Sequence, residues 1–579
     1  DSRPLFSALS GVYGIEQIPA SMIERVEVMR GGGSALFGSS AIAGTINIIT
    51  KEPMRNSGML SHTITGIGDG DVFDNSTALN ASLVTDDQRA GLYIFGQNRH
   101  RSAYDHDGDG YSEIPKLHGQ TIGFRSFLKT TTYSKLTFEY HHMEEFRRGG
   151  DLLNRPPHEA NVAEQTEHSI NGGGLKFDYF SPNENHRFNV FASAQHINRD
   201  SYYGPGDRDP LDAYGNTTDL NWMAGSQYVY SFGKCIFMPS DLTAGIEFNQ
   251  DKLEDNMWGY NRTVDQKVNI GSAFLQNEWK NDHWGFLIGG RLDKHNLIDH
   301  VIFSPRANLR YNPTENINLR FSYSSGFRAP QAFDEDLHVK NVGGNVAMVE
   351  LADNLKEERS QSLSASADIY HRFGAFQVNF LVEGFYTKLS DVFALTDGEV
   401  VDGILTRTRY NAPGARVMGL TLEGKMAYLT KFQVQAGVTL QQSHYSEPHV
   451  WNKEAPAVKK MMRTPNTYGY FTATYTPIKP LSIALSGTYT GSMLVPHEPV
   501  PGFLEKPITV NTKDFFDIGL KAAYDFKLYK SMNLQVNAGV QNIFNAYQND
   551  FDKGADRDSG YIYGPSLPRS FFAGVKISY

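Results

Sequence analysis

The segment Asp105-His106-Asp107-Gly108-Asp109-Gly110-Tyr111-Ser112-Glu113 carries the densest chemistry in the chain. Carboxylates at i, i+2 and i+4, interleaved with glycine, copy the first half of a calcium-binding loop, and oxygen ligands so spaced can wrap one hard cation. Glu113 comes too early to be the bidentate glutamate of an EF-hand, but it could help Asp105, Asp107 and Asp109. The alternative is a solvated acidic loop; against it, aspartates this close repel one another unless something neutralises them. A second acidic stretch offers Asp207, Asp209 and Asp212, either as partners in such a site or as surface decoration.

Other constellations carry no chemistry. Gly419-Leu420-Thr421-Leu422-Glu423-Gly424-Lys425 imitates a phosphate loop, but Met426 stands where Ser or Thr is needed and the segment alternates like a strand. His158-Glu159 lacks the second histidine of a zinc-protease helix. Cys235 is the only cysteine, which excludes an intrachain disulfide and a thiolate cluster. With no nucleophile elbow either, the chain reads as no enzyme.

The elements that must position these residues are strands. Mean hydropathy is −0.42 and no run of about 18 apolar residues exists, so no transmembrane helix is expected. A membrane β-barrel remains open, because its apolar residues alternate with polar ones. From residue 58 onward that alternation recurs. Leu136, Phe138 and Tyr140 oppose Thr137, Glu139 and His141; Ile317, Leu319, Phe321 and Tyr323 oppose Asn318, Arg320, Ser322 and Ser324; Leu481, Ile483 and Leu485 oppose Ser482 and Ser486. Tight polar turns, such as 86–89 and 181–185, alternate with longer connections expected at 100–118, 149–168 and 203–220. Short turns at one end and long loops at the other mark an outer-membrane barrel. About 22 strands would leave roughly 24 residues for each strand and its connection. Residues 1–57 differ: Ile23–Val28 and Ile46–Ile49 read as two strands joined by a loop rich in glycine (31–33, 38 and 44), within a small α+β unit. A net charge of −10 with no dense basic block argues against a nucleic-acid partner.

The stretch Ile23–Lys51 resembles the second half of the plug domain of TonB-dependent receptors, at Arg25-Val26-Glu27-Val28, Arg30-Gly31, Gly38, Ala41, Gly44 and Asn47-Ile48-Ile49-Thr50-Lys51. Gly326-Phe327-Arg328-Ala329-Pro330 resembles that family's FRAP segment, Asn542-Ile543-Phe544-Asn545 its motif before the last strands, and the C-terminal strand with Tyr579 its assembly signal. The resemblance implies an all-β fold: an antiparallel transmembrane barrel of about 22 strands (58–579) around an N-terminally incomplete α+β plug (1–57). It places the protein in the outer membrane of a Gram-negative bacterium, among outer-membrane lipids, and implies active import powered by the TonB–ExbB–ExbD complex. It also puts the signal peptide, the TonB-contacting segment and the first half of the plug upstream of Asp1. Arg25, Glu27 and Arg30 would suit a plug facing a polar wall.

With the first barrel strand leaving the periplasm, the loop after the third strand, which holds Asp105–Glu113, is extracellular, and so is the acidic stretch after the seventh. Calcium ordering such loops is characteristic of the family's cobalamin (vitamin B12) receptors, so cobalamin is the expected ligand. Haem and ferric siderophores are the alternatives. Haem receptors of the family place a histidine between FRAP and a later NPNL-type motif; His338 stands there, but the later segment reads Asp353-Asn354-Leu355, without the proline. Ligand-contact candidates are Gly32, Gly33, Ser34 and Phe37 of the plug with Tyr203, Trp258, Tyr260, His338 and Trp451 of the loops. Loop style resembles receptors of the Bacteroidota, which implies a possible surface lipoprotein partner. A passive porin or adhesin barrel is the rival reading, and a soluble β-sandwich array a further one.

Overall fold

The computed structural model describes Leu9, residues 18–30, Gly38, Ile42, 44–205 and 213–579. Twenty-two antiparallel strands form one closed barrel; the last, Ser570–Ser578, pairs with the first, Ser57–Ile67, in register from Ser570↔Ile67 to Ser578↔Met59. Closure leaves no open sheet edge in the wall, which a lipid-embedded sheet requires because lipid offers no hydrogen-bond partner.

The expected alternation sets the two faces. Phe138 and Tyr140 are exposed on the outside, whereas Thr137 and His141 point inward and are buried. Leu319 and Phe321 face out, and Arg320, Ser322 and Ser324 line the lumen. Outward leucine, isoleucine and phenylalanine continue around the wall, among them Leu60, Ile122, Leu175, Ile246 and Ile288. Such a belt is a liability in water. In lipid each leucine-sized side chain gains roughly 1.5–3 kcal/mol relative to an aqueous setting. Residues 419–425 lie inside the strand Ile404–Tyr428, as their alternation suggests.

One end of the barrel carries turns of at most five residues, including 85–89 and 181–185; the other carries every long connection. The long connections are nevertheless shorter than expected. Strands such as Ser112–Thr131, Val162–Phe180 and His186–Pro205 run through much of 100–118, 149–168 and 203–220. A strand needs only about 9–11 residues to cross a bilayer. These continue hydrogen-bonding beyond it, where no lipid imposes an apolar face and the period-two signal fades.

Ile23–Arg30 and Gly44–Thr50 form the expected antiparallel hairpin, preceded by a 3-10 turn at Ala20–Met22. Among the described residues of 1–57 there is no α-helix. The hairpin is moored to one side of the wall: Ile18, Met22, Tyr93 and Phe95 share an apolar cluster, and the Tyr93 hydroxyl donates to the Ser21 carbonyl at 2.5 Å. Arg125 and Lys135 pair with Glu52 at 3.1 and 3.0 Å. Of the charges expected to face the wall, Arg25 pairs with Glu27 at 2.8 Å on an exposed face, and the Arg30 side chain lies outside the described residues.

Candidate functional site

The acidic loop, residues 102–111, connects the third and fourth barrel strands at the long-loop end. Its fold is dictated by its own side chains. Asp105 accepts the Gly108 and Gly110 N–H groups, each at 2.8 Å, and Asp109 accepts the Tyr111 N–H at 2.9 Å. Gly108 and Gly110 sit at φ 73° and 92°, a region that favours glycine. The result gathers one carboxylate oxygen each from Asp105, Asp107 and Asp109 within 4.8 Å of one another. Calcium holds oxygens at about 2.3–2.6 Å, so oxygens up to about 5 Å apart can share one ion. The three aspartates therefore have the spacing that a hard cation needs.

Glu113 is not part of that group. Its Oε2 accepts the His106 N–H at 2.6 Å and its Oε1 the Arg557 guanidinium at 3.1 Å. It thereby pins His106 between Asp105 and Asp107. Sequence spacing missed the neutralising partners, which come from the last long connection, 542–569. Arg557 reaches Asp109 at 2.6 Å and lies over the Tyr111 ring at 4.7 Å, and Lys553 stands 3.6 Å from Asp107. Burial pushes the Asp109 carboxyl up, but the Gly554 and Tyr111 N–H groups and Arg557 outweigh it and hold the group below its usual range. Asp207, Asp209 and Asp212 lie outside the described residues, as do Gly32, Gly33, Ser34 and Phe37.

The aromatic candidates divide. Trp258 is 66% exposed at a turn tip, and Trp451 is half-buried in the connection 450–466. Tyr203 and Tyr260 are not loop-surface residues but are buried, 2% and 4% exposed, with the Tyr260 hydroxyl donating to the Tyr203 carbonyl. They belong to an apolar cluster with Met257, Val339, Val346 and Met348. What covers them is the connection 329–357, which folds back over the mouth. Its hairpin, Lys340–Val342 with Asn345–Leu351, pairs in parallel with the wall from Val346↔Ile404 to Leu351↔Arg409. His338 is drawn into the same packing, its ring 5.2 Å from that of Tyr203 and its Nε2 3.7 Å from Glu164.

Before that hairpin, a single helical turn, Asp334–Leu337, is bound to the wall by buried charges. Asp334 meets Arg199 at 3.0 Å, Asp336 meets Arg409, and Arg262 donates to the Asp336 carbonyl at 2.6 Å. Gln266 both donates to and accepts from Ala332, and Arg328 pairs with Glu335 at 2.5 Å while lying 4.1 Å over Phe333. Asn542 serves a structural end at the far connection: its side chain bonds the Ala546 N–H and the Ala546 and Leu567 carbonyls. His158 bonds the Tyr214 hydroxyl at 2.9 Å.

The arrangement is a closed apolar-coated tube with an internal hairpin at one level and interlocked polar loops at one mouth. Comparison with known proteins agrees. The family model "TonB dependent receptor-like, beta-barrel" matches residues 58–543, and "TonB-dependent Receptor Plug Domain" matches 1–45. The chain is 26% identical over 353 residues to an iron-regulated outer membrane virulence protein of Vibrio cholerae, covering 58% of this chain and 49% of the relative. It is 23% identical over 347 residues to the vitamin B12 transporter BtuB of Vibrio vulnificus, covering 58% and 52%. The chain thus spans about half the length of these curated relatives. In fold it is similar to the siderophore receptor PirA of Acinetobacter baumannii, with a TM-score of 0.77, 16% identity and coverage of 97% and 86%.

Proposed function

Because the chain belongs to the TonB-dependent receptor family, as a β-barrel with its plug, we propose that it imports cobalamin across the outer membrane with calcium ordering its acidic loop. The chain is an outer-membrane protein of the Gram-negative type, so the long-loop end is the extracellular mouth. Family and fold are those of transport receptors and not of enzymes.

One observation carries the ligand reading: Asp105, Asp107 and Asp109 converge in the loop after the third strand, at the mouth. When bound there, calcium supplies charge neutralisation and cross-links the loop. A loop ordered beforehand presents a fixed surface to a large, mostly neutral ligand, and the entropy of ordering is not lost at the moment of capture. Likeness to the vitamin B12 transporter BtuB supports the same choice. The packing of His338 against Tyr203 and Glu164 speaks against haem, which needs an axial ligand free to turn to iron.

A second reading, ferric-siderophore import, is favoured by likeness to the iron-regulated protein of Vibrio cholerae. In either case energy comes from the TonB–ExbB–ExbD complex, which pulls on the plug, and a surface lipoprotein at the mouth remains part of the proposal. Optical titration of the purified receptor with cobalamin, haem and a ferric siderophore separates the readings. Saturable binding of cobalamin alone supports the first; saturable binding of the siderophore alone replaces it with the second.

A further inference from the structure

Leu9 of the plug is 1% exposed. Its side chain sits in an apolar cluster with Met143, Ile170, Ile197 and Leu253 of the wall and with Leu337 of the helical turn that folds in from the mouth. Its N–H donates to the Asp219 carboxylate at 3.1 Å, and Asp219 is itself fully buried. Leu337, also fully buried, is therefore shared between the plug and the extracellular connection 329–357. Two residues further on, Val339 enters the second cluster, with Tyr203, Tyr260, Val346 and Met348. Leu337–Val339 is the bridge between plug contact and mouth cover.

We propose that the plug, seated at Leu9, holds this cover down: while Leu9 is in place, segment 334–348 stays closed over Tyr203 and Tyr260, and displacement of the plug releases it. Withdrawing Leu9 leaves a void in the cluster it shares with Leu337, Ile197 and Leu253, and a void beside well-packed side chains forfeits their contacts. Leu337 shares its helical turn with Asp334 and Asp336, which form the buried pairs Arg199–Asp334 and Arg409–Asp336. Water entering there raises the local dielectric and weakens both. A movement inside the lumen is thereby converted into opening at the outer surface. This goes beyond the ligand assignment and holds whichever ligand is carried.

Hydrogen–deuterium exchange on the full chain in detergent tests it. In Leu9→Ala, amides of 334–348 exchange on the order of tenfold faster than in the wild type, while those of the acidic loop 102–111, which does not touch the cluster, keep their rates. Asp219→Asn, which weakens the backbone anchor but keeps the apolar cluster, accelerates the same segment by a smaller factor and serves where Leu9→Ala fails to assemble. The double variant Leu9→Ala/Leu337→Ala exchanges no faster than its faster single parent, because both remove one contact. Unchanged exchange of 334–348 in Leu9→Ala and Asp219→Asn overturns the proposal, as does equal acceleration of 334–348 and 102–111, or accelerations that multiply in the double variant.

Discussion

The Arg557 guanidinium lies 2.6 Å from the Asp109 carboxylate although 448 positions separate the two residues. The contact ties the loop after the third strand to the loop before the last. The two connections become neighbours because barrel closure sets the last strand beside the first. Arg557 also holds Glu113, so a single cation serves two carboxylates of the acidic loop.

Arg557→Ala should loosen both loops and strengthen cation binding. Losing charge-assisted bonds of this kind costs roughly 1.5–3 kcal/mol each. Limited proteolysis should therefore cut within 102–111 and 542–569 sooner than in the wild type. Calcium titration should show tighter binding, because the neighbouring positive charge is gone. Weaker calcium binding by the variant would mean that Arg557 shapes the cation site instead of competing with the ion.

Acid should open the same latch. The Asp109 carboxyl is held below its usual value of 3.8, so the folded form binds the proton more weakly than the unfolded form. Its contribution is complete above that value and is lost as pH falls through the lower folded one. Burial raises the Glu113 carboxyl, which titrates in both proteins, so the difference in 102–111 exchange between the wild type and Asp109→Asn should stay constant between neutral pH and about 4. Below that, the wild-type loop should lose protection while Asp109→Asn shows no corresponding step. A wild-type loop that becomes better protected than Asp109→Asn as pH falls below about 4 would contradict the assignment.

Arg199, 1% exposed, pairs with Asp334 and approaches Asp255 at 3.8 Å. Arg199→Met removes the cation and leaves the carboxylates buried, at a cost of about 3–5 kcal/mol. Exchange of amides 334–338 reads this loss directly. Arg199→Met/Asp334→Leu should restore part of the protection, since Asp334 no longer lacks its partner while Asp255 stays buried without Arg199.

His338→Ala should leave ligand affinity within about threefold of the wild type, because the imidazole is packed against Tyr203 and is not an iron ligand in this account. Loss of a haem Soret shift in this variant, against a clear shift in the wild type, would reverse the choice between haem and cobalamin.

Much of the architecture was legible in the sequence because lipid enforces a strict rule. Residues such as Phe138 and Thr137 must face opposite ways, and about 22 repeats of that pattern filled the length. The hairpin Ile23–Arg30/Gly44–Thr50 and the convergence of Asp105, Asp107 and Asp109 were legible for a local reason, since their spacing alone brings them together. What escaped was tertiary. Tyr203 and Tyr260 read as loop aromatics, yet the hairpin of 340–351 buries them through a parallel pairing with 404–409 that leaves no periodicity. The strand run at 112–118 looks like loop in the sequence because, above the membrane, nothing demands an apolar outward face. Arg557 and Leu9 carry no local signal at all.

The proposed capture of cobalamin depends on a cation held by the acidic loop. Equilibrium binding of cobalamin to the full chain, measured with calcium and again with chelator, on the wild type and on Asp107→Ala/Asp109→Ala, tests it most directly. Expected are tight, saturable binding by the wild type in calcium, at least about tenfold weaker binding with chelator, and the same weak binding by the variant in either condition. Equal cobalamin affinity with and without calcium in both proteins, or no cobalamin affinity in any condition, would contradict it.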